Sequence, residues 1–159
     1  MFRMILFIHI LVGAICLVAG LAAMLAPKKM RLHKKLGEIY HFSFIIVLIT
    51  TIGMAIIHWE SSSHLLYIGF ISYSLALIGY LAGKFKCKNW LAIHIGSILG
   101  SYIAIITAVL VVNVNRLPVL NNYNPLIFWL LPTIIGSPII YIIRRKYEDS
   151  NKKNCCNLK

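Results

Sequence analysis

Acids are what this chain has least of. Four Asp and Glu stand among 159 residues, against sixteen Lys and Arg. Charged residues make up only 13% of the chain while 60% belong to the apolar set, and the mean hydropathy is +0.83. A soluble domain of this length has too much surface to cover with so few polar side chains, which excludes an ordinary cytosolic enzyme and a disordered tail. Cysteine is also sparse: four residues in so apolar a chain exclude a secreted disulfide scaffold, and with no second Cys-x-x-Cys-type pair the adjacent Cys155 and Cys156 favour free thiols over a soft-metal site. Catalytic signatures are missing as well. There is no His-Glu-x-x-His, no membrane-embedded Asp pair, and no Ser motif with a base and an orienting partner, so hydrolytic chemistry has no support.

What is present is apolar length. Five stretches, 4–26, 39–58, 65–83, 91–113 and 125–143, hold no Lys, Arg, Asp or Glu. Each has about the twenty residues a helix needs to cross a hydrocarbon core. Lipid cannot satisfy open backbone groups, so the expected fold is all-α: a five-helix integral membrane bundle (1–143) with a basic tail (144–159). Arg3 ahead of an apolar run resembles a signal peptide. That run is long and ends in Pro27, Lys28 and Lys29 rather than a small-residue cleavage site, so it is expected to stay as the first helix.

The bases orient the bundle. Fourteen of the sixteen fall in the first loop (Lys28, Lys29, Arg31, Lys34, Lys35), the third loop (Lys84, Lys86, Lys88) and the tail (Arg144, Arg145, Lys146, Lys152, Lys153, Lys159). Only Arg3 and Arg116 lie on the other side. The positive-inside rule then places the N-terminus outside and the tail in the cytoplasm, with Trp59, Trp90 and Trp129 as interfacial anchors. The net charge of +12 follows from insertion and anionic headgroups rather than from nucleic-acid binding. Cys87, Cys155 and Cys156 then lie on the reducing side as free thiols. The fifth helix, opened by Asn124 and Pro125, is expected to bend at Pro132 and Pro138.

Six histidines, His9, His33, His41, His58, His64 and His94, are the informative polar residues, because an ionisable group in a bilayer is costly. On a helical wheel Gly13, Cys16 and Gly20 lie within about 40° of His9, and Ser97, Ser101, Ala104 and Ala108 within about 80° of His94. Each histidine thus heads a stripe of small residues. Two explanations stand open: close helix packing, or a floor for a planar macrocycle ligated through the imidazole. Depth groups His41 with His94 near the inner face and His9 with His58 and His64 near the outer. The separation between layers is roughly 25 Å, which suits two haems with paired His ligands. His33, Gly37 and Tyr40 share a helix face, and Glu38 is the one acid near them.

These elements resemble a known group. His9 followed by Gly13 and Gly20, the His-x-x-x-Gly-x-x-Tyr element at His33, Gly37 and Tyr40, and His94 running into Ser101 and Tyr102 look like the small bacterial multi-pass membrane proteins of the domain-of-unknown-function family catalogued as 2306, over roughly residues 5 to 113. The resemblance implies a membrane protein of unassigned function with His9, His33 and His94 as the family's histidines, so either His41 or His33 is the partner of His94. The architecture is also similar to cytochrome b561-type proteins, whose four-helix core holds two b haems on alternate helices; here these would be His9 and His64 on helices one and three, and His41 and His94 on helices two and four. The leading expectation is therefore a b-type haem protein, with His9 and His94 as iron ligands, passing electrons to a quinone or another redox partner. The alternative is a non-catalytic membrane subunit or assembly factor. A transporter using the same histidines is weakened by the absence of acids inside the helices.

Overall fold

The computed structural model describes residues 2–27, 31–86, 89–114 and 125–156. Five helices account for them: α1 Phe2–Leu25, α2 Arg31–Ile57, α3 Trp59–Phe85, α4 Trp90–Asn113 and α5 Pro125–Cys156. All five are long and apolar enough to cross a membrane. Lys28, Lys29, Cys87, Lys88, Arg116, Asn124 and Lys159 lie outside the described residues. Of Cys155 and Cys156 only the backbone is described, as the last turn of α5.

Two helices outrun their apolar cores. Helix α2 begins at Arg31, eight residues before Ile39, because Arg31, Leu32, Lys34, Lys35, Leu36 and Glu38 are good helix formers and no proline interrupts them. The His33, Gly37 and Tyr40 element is therefore the opening of α2 rather than a loop. Helix α5 likewise runs on through Arg144, Arg145 and Lys146 to Cys156, so much of the expected tail is helical. Within α5, Pro132 and Pro138 withdraw the N–H groups that would meet the carbonyls of Phe128 and Ile134, yet the helix continues through both.

The breaks between helices are short. Helix α1 closes with the Ala26 amide donating to Ala22 O at 2.9 Å, and Pro27 ends it. A single residue, His58, separates α2 from α3: its amide donates to Met54 O at 3.0 Å while its own carbonyl accepts from Ser62 at 3.1 Å. Lys86 (φ 50°) and Asn89 (φ 59°) adopt left-handed backbone conformations between α3 and α4.

Backbone packing divides the chain into two compact units, Met1–Ser74 and Leu75–Lys159, with the division inside α3. In the first unit α1 lays Cys16, Ala19, Gly20 and Ala23 against α2, whose buried residues include Tyr40, Phe44, Leu48, Thr51 and Ala55. In the second, α4 buries Ala92, Ile95, Ser101 and Thr107, and α5 rests on α4 with Gly136 against Ile103. In both units small residues supply the most completely buried positions, Tyr40 and Phe44 being the large side chains buried with them in the first, while most large apolar residues lie outside. Cys16 and Ser101 are almost wholly buried, whereas Phe7, Phe42, Ile49, Ile71, Ile134 and many other large apolar residues are exposed. Water would penalise that arrangement, whereas in a bilayer, which exerts no hydrophobic drive between helices, close backbone approach would decide which faces meet.

Hydroxyl groups in the helices are satisfied locally. Thr51 donates to Val47 O at 2.8 Å, Ser72 to Ile68 O at 2.6 Å, Thr107 to Ile103 O at 2.9 Å and Ser137 to Thr133 O at 2.7 Å. Each bonds a carbonyl of its own helix one turn back, so these residues need no partner from another helix.

Candidate functional site

The histidines differ from the hydroxyl residues because an imidazole nitrogen cannot reach its own helix backbone so easily and turns to a neighbour. Three of them do so in the same way. His33, in the first turn of α2, places Nδ1 2.8 Å from Ala23 O of α1. That carbonyl is available for a covalent reason. Its helical partner would be the amide four residues on, and that residue is Pro27, which has no N–H. The His33 ring thus caps the end of α1 with the donor that proline removes.

His94, in the first turns of α4, places Nδ1 2.7 Å from Gly79 O of α3. Here the carbonyl belongs to an intact helix and is reached because two glycines bare the backbone. A Cβ on Gly83 would lie 2.9 Å from His94 Nδ1, and one on Gly79 would lie 2.7 Å from Ile98 Cγ1. Gly79, Tyr80, Leu81, Ala82 and Gly83 form a small-xxx-small ridge into which His94 and Ile98 settle.

His9, on α1, places Nδ1 2.9 Å from Thr50 Oγ1 of α2. The Thr50 hydroxyl lies within hydrogen-bond reach of Ile46 O at 2.9 Å and Val47 O at 2.8 Å, so its proton is directed at its own helix and its oxygen accepts from the imidazole. In all three rings the partner is an acceptor. Nδ1 therefore carries a proton, and in the neutral form Nε2 holds the lone pair.

The other histidines are held by ring contacts. His41 is buried at 7% exposure, with its ring stacked on Tyr73 at 5.8 Å and 24° and edge-on to Phe42 at 6.0 Å. His58 is exposed and meets the edge of Phe2 at 4.7 Å. It borders a shallow hollow with Ile57, Trp59 and Glu60. His64 is exposed in the first turns of α3. The level of His9 on α2 is set at Thr50, eight residues and about 12 Å along the helix from His58, and a pairing of those two rings would have to bridge that distance.

The small-residue stripe on α1 is largely occupied by protein. Cys16 is 1% exposed and its thiol donates to Tyr40 O at 3.6 Å, and Ala19, Gly20 and Ala23 are buried with it. A flat ring could not lie on that part of α1 without displacing α2. Gly13, one turn from His9, is different: the position of a Cβ there has nothing within 4 Å. On α4, Ser101 is 0% exposed and donates to Ile98 O at 2.8 Å. Among the described residues no group of three or more His, Cys, Asp or Glu is placed to hold a metal ion. Paired axial ligation of a haem asks for two histidines only.

A helical wheel locates the small-residue stripes beside His9 and His94 but carries no information on what the imidazoles touch. Two signals in the sequence would have found it: Pro27 four residues after Ala23, and Gly79 with Gly83 just ahead of the α4 histidine. Compared with known proteins, the chain matches no family model, no curated protein and no solved structure.

Proposed function

We propose that this chain is a non-catalytic multi-pass membrane component, a small subunit or assembly factor, in which histidines tie neighbouring helices together. The observation that carries this reading is that His9, His33 and His94, on three different helices, each direct Nδ1 at an oxygen of a neighbouring helix. An interhelical hydrogen bond in a membrane contributes about 1 kcal/mol and also sets the register of two helices that have little other polar contact. The positive-inside distribution supports a chain with its N-terminus outside and its C-terminal helix end in the cytoplasm, and the resemblance to the 2306 group supports a bacterial inner membrane. Purification from native membranes in a mild detergent tests the role: a partner should co-purify in fixed stoichiometry and the complex should be colourless. A chain that always migrates alone, or one that carries a Soret band, would sink it.

One observation favours a second reading, haem b ligation with electron transfer to a quinone or another redox partner. An imidazole whose Nδ1–H is given to a carbonyl or hydroxyl has the orientation and basicity of a metal-bound histidine, and His9, His33 and His94 all have it. The open space beside Gly13 adds room next to His9. In this reading His9 and His94 hold iron, the bound haem supplies one-electron chemistry, and the protein fixes the imidazoles and keeps water away. The dithionite-reduced spectrum of protein from a haem-replete host decides it. Soret and α bands that disappear in His9→Ala and His94→Ala support the reading, and a featureless spectrum removes it.

A further inference from the structure

The second unit carries cations where α3 passes into the aromatic start of α4 and where α5 crosses the second turn of α4. Lys84 lies in the last turn of α3 with Nζ 5.8 Å from the centroid of Tyr80. Lys86 follows α3 in the left-handed conformation already described, and its Nζ stands 5.8 Å from the centroid of Trp90, the first residue of α4. Trp90 is in turn 6.4 Å from the His94 ring. From α5, Arg144 lies across α4 at Gly96, where a Cβ would be 3.5 Å from Arg144 Cδ and 3.8 Å from Nη1. Arg145 donates from Nη1 to the Tyr141 hydroxyl at 3.4 Å.

Two aromatic faces therefore hold the lysines, where a soluble protein would commonly use carboxylates. The chain has no acid between Glu60 and Glu148, so the lysines that close α3 have no carboxylate close to them in sequence. Apolar surface adjoins the cations: Phe85, between the two lysines, is 67% exposed, and Ile142, two residues before Arg144, is 63% exposed. Cations, an indole and exposed apolar side chains at one end of membrane-length helices match a molecule that is anionic at its head and hydrocarbon below. Free phosphate would have no use for the apolar flank.

We infer that this end of the second unit is a binding site for the phosphate headgroup of an anionic phospholipid, with Lys84, Lys86 and Arg144 as its cations and Trp90 and Phe85 against the glycerol and acyl region. The inference rests on surface chemistry and is independent of what the histidines hold.

The full chain in detergent micelles, titrated separately with phosphatidylglycerol and phosphatidylcholine and followed by native mass spectrometry, tests it. Phosphatidylglycerol should be retained in preference to phosphatidylcholine. Replacing Lys84 and Lys86 together by Gln should weaken that retention about fivefold for each charge removed, with helicity unchanged by circular dichroism. Replacing Lys34 and Lys35 by Gln, the same charge change in the first unit, should leave it unaltered. Equal retention of the two lipids, or equal losses in the two double variants, would overturn the site. Full displacement by inorganic phosphate at constant ionic strength would overturn the lipid assignment.

Discussion

The two units solve one problem in different ways. In each, a histidine from the start of one helix donates Nδ1–H to a backbone carbonyl of the helix before it. In the first unit the carbonyl is available because the chain is broken: Pro27 leaves Ala23 O without its helical donor, and His33 fills the vacancy. In the second the chain is intact, and His94 reaches Gly79 O only because Gly79 and Gly83 carry no side chains. One joint depends on a missing donor and the other on missing volume. They should therefore fail under different substitutions.

The largest effect is expected at the volume-dependent joint. Gly83→Leu puts a Cβ 2.9 Å from the His94 ring with three more carbons behind it, and α4 cannot retreat without losing the packing of Ile98 on Gly79. A destabilisation of about 3 kcal/mol, at the upper end for overpacking, should appear in unfolding by SDS titrated into mild detergent. If Gly83→Leu unfolds like the parent chain, the ridge is not a close contact.

An intermediate effect belongs to the donor-dependent joint. His33→Ala should cost about 1 kcal/mol in the same assay. Pro27→Ala restores an amide that can serve Ala23 O, so His33→Ala made in that background should cost measurably less. A double-mutant cycle reads this directly, and additivity within a few tenths of a kcal/mol would show that His33 does not replace the missing proline donor.

The smallest effect has the opposite sign. Gly13 and Gly37, both in the first unit, have nothing within 4 Å of where a Cβ would sit. Gly13→Ala and Gly37→Ala should therefore stabilise by several tenths of a kcal/mol through helix propensity alone. Destabilisation by Gly13→Ala, together with loss of colour in a haem-replete host, would transfer weight to the haem reading, since it would reveal an occupant beside His9.

The sequence was most readable where one physical rule acted alone. Uncharged runs of membrane length became five helices, and Pro27 stopped α1 where it stands. Helices α2 and α5 extend beyond their apolar runs because a count of apolar residues measures hydrocarbon thickness, and a helix does not stop at the hydrocarbon. Arg31 to Glu38 and Arg144 to Lys146 are polar and still helical. For the candidate site, the sequence identified His9 and His94 as heads of small-residue stripes, but a wheel describes one helix at a time. Whether Cys16 and Gly20 form a floor for a ligand or a seat for α2 depends on the opposing helix, and that helix is α2 itself, through Tyr40.

By itself, then, the sequence determined five helices long and apolar enough to cross a membrane, because an uncharged run of that length satisfies its backbone groups most simply within itself. Only the tertiary structure decided what the histidines touch. A hydrogen bond to a carbonyl is invisible in a residue list because every residue has a carbonyl. It takes the approach of two backbones, permitted by a proline at one joint and two glycines at the other, to select Ala23 and Gly79 from all the rest.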